Sequence, residues 1–177
     1  MPPILNIRFL CPKKMKPILF LGALLACTAS LLAQAPEPLK ELHKALNAAA
    51  KEQKMAFILL GRASCANCNA TKGMIHDGKI PVTAADYVMA DLNIDDAKTE
   101  GDFMRKFGKE KFGEILPFVV VTDSHGKALA SSGGYKKMDQ WNTLLADARA
   151  KMAKSSASRP GPASGDPNWP FKSAKPQ

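Results

Sequence analysis

The 177-residue chain has no acidic residue before Glu37, only three histidines, only four cysteines and no internal repeat. Each shortage narrows its nature. A first stretch with Arg8, Lys13, Lys14 and Lys16 but no carboxylate leads into the apolar "PILFLGALLACTASLLAQA". That layout is an export signal, not the start of a fold. Two cysteines, Cys11 and Cys27, fall inside it, so the domain beyond has just Cys65 and Cys68. With His43, His76 and His125 they make a poor set for structural zinc, which takes four ligands. His76 stands two helical turns beyond Cys68, too far to share one ion with it. The formal charge of +9 would suit a nucleic-acid partner, but subtracting the four leader charges leaves +5, scattered among acids. That is a solvated mixed surface and argues against nucleic acid as a partner.

The leader, residues 1–35, has three readings. "AQA" at 33–35 has the small-x-small form of a cleavage site, and Met15 offers an alternative start. "LLAC" at 24–27 resembles a bacterial lipobox, which would make Cys27 a lipidation site. The apolar run of 17–35 also approaches the ~20 residues needed to span a bilayer, as an uncleaved anchor would. All three put the domain outside the cytosol, in the periplasm or cell envelope. Disulfides persist there. A bridge between Cys65 and Cys68 would close so small a loop that it would constrain the unfolded chain little. The pair therefore points to chemistry and not to stapling.

Residues 36–154 read as one domain. Leu39, Leu42, Ala45, Leu46 and Ala49 recur at helical spacing and predict a helix over 38–53. "MAFILLG", 55–61, predicts a buried strand ended by Gly61. "CANCNATKGMIHDG" predicts a helix with Cys65 in its first turn and Gly78 as its C′ residue. A second strand is expected over 85–95, and an amphipathic helix over 96–113 with Phe103, Met104 and Phe107 on one side. "PFVVVTD", 117–123, is the strongest strand; "SHGK" is a turn and "ALASSGG" a return strand. A helix over 136–154 carries Met138, Trp141, Leu144, Leu145 and Ala148 on one face. From 155 the chain is rich in Ser, Pro and Gly, as disordered tails are, with an apolar "NWPF" within it. The order α-β-α-β-α-β-β-α predicts an α/β sandwich of about 115 residues, enough for a core.

The setting of Cys65 matters most. It follows a buried strand and opens a helix, where unpaired N–H groups carry positive partial charge. A thiolate there is favoured, so the thiol should titrate below the free value of about 8.5. Arg62 is expected to add to this. Cys68, one turn on, faces the same side and can attack a mixed disulfide formed at Cys65. Lys72, a further turn on, reads as a solvated surface lysine. Asp91, Asp95, Asp96 and Glu100 read as a solvated acidic loop. Pro117 stands at the start of the best strand, where a cis peptide would turn the chain back beside the helix start.

"LLGRASCANC" followed by a helix, then "ILPFVVV" and "HGKALA", resembles the thioredoxin superfamily, in particular exported bacterial thioredoxin-like proteins with a leading helix. The resemblance spans roughly 38–153. It implies a thioredoxin-like three-layer α/β/α sandwich with a mixed sheet of about four strands. It implies a thiol–disulfide oxidoreductase with Cys65 as nucleophile, Cys68 as resolving thiol and Pro117 as a cis-proline packed against them. Leu116 would offer its backbone to a substrate strand, flanked by Ala66 and Asn67. The redox-active disulfide would need no bound cofactor. Partners would be protein thiols and, for a reductant, a membrane thiol–disulfide reductase as electron donor, with the protein acting as a monomer. The chain departs from the pattern at Ser64, where tryptophan is common, and at Leu59, where thioredoxin has a buried acid that helps to move protons. It departs again at Leu116, a place often β-branched, and in its Ala-Asn dipeptide. These leave the direction of electron flow open.

Two other readings stand beside this one. Copper(I) can be held by two thiolates alone. The pair could also be an inert disulfide in a binding module that presents Leu116, Pro117 and the tail.

Overall fold

The computed structural model describes residues 34–157. The leader up to residue 33, with Cys11, Met15 and Cys27, and the tail from 158, with "NWPF", lie outside the described residues.

The eight elements follow the expected order. They are α1 (Leu42–Glu52), β1 (Met55–Gly61), α2 (Ala66–His76), β2 (Tyr87–Asn93), α3 (Ala97–Phe107), β3 (Phe118–Thr122), β4 (Ala128–Gly133) and α4 (Met138–Ala157). Four strands form one sheet in the order β2-β1-β3-β4. β1 runs parallel to β2, from Met55↔Tyr87 to Gly61↔Asn93, and antiparallel to β3. β3 and β4 form an antiparallel hairpin. All seven β1 residues are buried, because helices cover both sheet faces and its neighbours cover both edges.

Strand alternation divides the core in two. Phe57, Leu59, Tyr87, Met89, Val119 and Val121 face α2 and α4, where they meet Ile75, Trp141 and Leu145. Ile58, Leu60, Val88, Ala90, Leu92 and Val120 face α1 and α3, where they meet Leu42, Ala45, Phe103 and Phe107. The result is a three-layer α/β/α sandwich with a mixed sheet, as expected. Trp141 is fully buried, its ring centre 6.1 Å from that of Phe57.

Three boundaries differ most from the sequence expectation. α1 starts at Leu42 and not near 38. Pro36 and Pro38 bias the residues before them towards extended backbone, and Leu39 joins the sheet instead. Its N–H donates to the Met89 carbonyl, and the Asp91 N–H donates to the Leu39 carbonyl, both at 2.9 Å. α3 ends at Phe107, ahead of Gly108. Phe112 has left the helix and packs between Phe103 and Phe118, ring centres 5.5 and 5.2 Å away. α4 runs to Ala157, three residues into the expected tail. Gly78 has the positive φ, 69°, required of a C′ residue.

Asp96 was expected in a solvated loop, but it caps α3. Its Oδ1 accepts the Thr99 N–H at 3.0 Å. Asp96→Ala should therefore lower stability by about 1 kcal/mol, as read by denaturant unfolding. An unchanged midpoint would show that water replaces the cap at no cost.

Candidate active site

β1 delivers the chain to Gly61 at one end of the sheet, and α2 begins five residues later. A Cβ on Gly61 would lie 2.8 Å from Cys68 Sγ, so glycine lets the helix close onto the strand end. Cys65 is the N-cap of α2, with extended backbone, and its Sγ accepts the Cys68 N–H at 3.2 Å. The Asn69 side-chain amide donates to the Ala63 carbonyl at 2.9 Å and ties the intervening turn.

Cys65 and Cys68 are joined as a disulfide, with Cα atoms 5.2 Å apart. The two sulfurs are unequal: Cys65 is half-buried and Cys68 is fully buried. Ala66 is exposed and Asn67 half-buried beside them.

The Leu116–Pro117 peptide is cis. The pairing Leu60↔Phe118 sets Pro117 next to Gly61, at the sheet end where the dithiol turn begins. The Gly134 N–H donates to the Pro117 carbonyl at 3.0 Å. Pro117 is buried, and Leu116 is half-buried. Ile115 (63% exposed) and Tyr135 (51% exposed) are the large apolar side chains most open to solvent among the described residues. They flank this loop, since Gly134 lies against Ile115.

Several charged residues differ from expectation. Arg62 is paired with Asp95 at 3.2 Å, not with the sulfurs. Asp91 lies within β2, not in the loop after it, and its side chain is only 14% exposed. Its Oδ2 meets Lys40 Nζ at 2.7 Å and Lys72 Nζ at 3.5 Å. Lys72 is thus a half-buried ion-pair partner and not a free surface lysine. The sequence carried a signal for this, because Asp91 continues the inward-facing register of Tyr87 and Met89. His43 stands 3.6 Å from Asp102, and His76 stands 3.6 Å from Asp77. Among the described residues no three His, Cys, Asp or Glu side chains are grouped to hold a metal. Within the same residues no helix is long and apolar enough to cross a membrane.

No family model matches the sequence, and comparison with curated proteins finds no match. Among solved structures the chain is similar to a mutant thioredoxin from Halobacterium salinarum, at 14% identity and TM-score 0.48, covering 66% of this chain and 95% of that one. It is similar to a disulphide isomerase from Xylella fastidiosa, at 18% identity and TM-score 0.43, covering 67% and 88%. Spinach chloroplast thioredoxin F aligns at 15% identity and TM-score 0.47, covering 69% and 96%. The fold is legible in the chain's own topology. A parallel β1–α2–β2 crossover, a β3–β4 hairpin, and a disulfide capping α2 at the sheet end that holds the cis-proline together make this a thioredoxin-like fold.

Proposed function

We propose that the protein is a thiol–disulfide oxidoreductase that exchanges disulfides with protein thiols in the cell envelope. The carrying observation is the inequality of the two sulfurs. The half-buried Cys65 caps a helix whose N–H groups favour a thiolate, while Cys68 is fully buried behind it. In the reducing direction the Cys65 thiolate attacks a substrate disulfide and forms a mixed disulfide, releasing one substrate thiolate. Cys68 then attacks Cys65 Sγ, forms the intramolecular disulfide and releases the second thiolate. The substrate gains two electrons and the dithiol loses them, so no bound cofactor is needed. Leu116, Ala66 and Asn67, with Ile115 and Tyr135 beside them, form the surface a substrate strand would meet. Reduction of the resulting disulfide falls to an electron donor such as a membrane thiol–disulfide reductase, and the domain acts as a monomer. The basic, then apolar layout of residues 1–35 supports the location.

Equilibrating the protein in graded thiol buffers and trapping free thiols tests this. A reversible two-electron couple is expected; a potential near about −120 mV would make it an oxidant, and one near about −270 mV a reductant. A disulfide that resists every buffer would overturn the proposal in favour of the inert binding module. A pair that never oxidises because it arrives loaded with metal would favour copper handling.

A further inference from the structure

This inference rests on the exchange reaction just proposed and concerns its second half. Resolution needs Cys68 as a thiolate, yet Cys68 is fully buried and burial disfavours a thiolate. Its proton must pass to a nearby base. Leu59, two residues before the strand end, has nothing to accept it. The parallel register pairs Leu59 with Asp91 on the adjacent strand, so both side chains lie on the sheet face that carries α2. Lys72 stands one turn beyond Cys68 on the same side of α2 and meets Asp91 Oδ2 at 3.5 Å.

A cleft of about 440 Å³ opens beside Asp91 and Lys72, and Cys68 lies behind its Gly61 wall. Gly61, Lys72, Asp91, Lys40 and Asp96 are among its lining residues. Gly61 is also the residue against which Cys68 Sγ packs. The volume holds several water molecules, at roughly 30 Å³ each. Charged groups reach this cleft from every side. Lys40 comes from the segment before α1, Lys72 from α2, Arg62 from the turn after β1, where Asp95 pairs with it, and Asp96 from the start of α3. Asp96 is committed to the Thr99 N–H. Asp91 is the remaining lining carboxylate, held by Lys40 and Lys72.

We propose that Asp91 is the proton acceptor for Cys68, acting through water in this cleft. As Cys68 attacks Cys65 Sγ, the Cys68 proton passes to the Asp91 carboxylate. The Cys65–substrate bond breaks, and the substrate sulfur leaves as a thiolate. In the reverse direction Asp91 returns its proton to Cys68 as the disulfide opens.

The test uses the reduced full-length protein and an aromatic disulfide that releases a coloured thiolate at each step. Attack by Cys65 gives the first release, and resolution by Cys68 gives the second. Asp91→Asn should slow the second release about tenfold or more at neutral pH and remove an inflection from its pH profile. The first release should stay within about twofold, and Asp91→Glu should restore part of the second. Lys72→Met is the companion variant, should Asp91→Asn not fold. It should shift the pH dependence of the second release alone. A second release with unchanged rate and pH profile in the variants that fold would overturn the assignment. A wild-type protein that gives no first release would refute the exchange reaction itself.

Discussion

Cys65→Ser is expected to reduce disulfide exchange by at least about 1,000-fold, the scale of loss when a covalent nucleophile is removed. The reason is positional as well as chemical. Cys68 keeps its thiol in this variant but is fully buried against Gly61. A protein disulfide cannot reach it, so it cannot substitute as the attacking group. Cys68→Ser should behave differently: Cys65 still attacks, and the mixed disulfide accumulates because nothing resolves it. Insulin reduction measures the first, and a non-reducing gel of the adduct the second. Exchange that survives Cys65→Ser at wild-type rate would place the chemistry elsewhere.

Gly133→Ala is expected to lower stability by about 3 kcal/mol, the upper part of the range for overpacking. A Cβ there would collide with the carbonyl oxygen of Phe112 and crowd that of Ile115. These are backbone atoms, so no rotamer change relieves the clash. The segment 112–116 would have to lift from β4, taking Leu116 and the Phe112 ring with it. Gly134→Ala is the control. Its nearest neighbours are Ile115 side-chain atoms at 3.6 Å, so space is available, but its φ of 74° costs roughly 1–2 kcal/mol for a residue with a Cβ. Thermal unfolding should therefore rank Gly133→Ala as the more damaging variant. The reverse order would show that backbone conformation, not crowding, sets the requirement at this turn.

The elements most legible in the sequence were those whose neighbours agree with their local pattern. β1 was read to the residue because six apolar residues closed by Gly61 suit a strand covered on all sides. Cys65 at a helix start and Pro117 before β3 were equally plain, since each sits at a junction between periodicities. Positions decided by tertiary contact were not legible. Leu39 fits the helical stripe of α1, but its backbone is taken by β2. Phe112 fell inside the helix expected over 96–113, yet the helix ends at Phe107 and the Phe112 ring stacks on Phe118. Asp91 looked like one acid among four. Its place two residues past Met89 was the one hint that it turns inward, but only the fold brings Lys40 and Lys72 to it.

The Leu39 bridge bears on how the protein behaves in a crowd. β2 is an outer strand of seven residues, five of them apolar, and such a strand is a template for pairing with another chain. Leu39 occupies two of its outward hydrogen-bonding groups, and Pro36 and Pro38 cannot donate to any strand that might extend the sheet. The few residues ahead of the first helix thus act as a guard against aggregation on the sheet's apolar flank. On the opposite flank β4, "ALASSG", relies on small and hydroxyl side chains to make itself an unattractive partner.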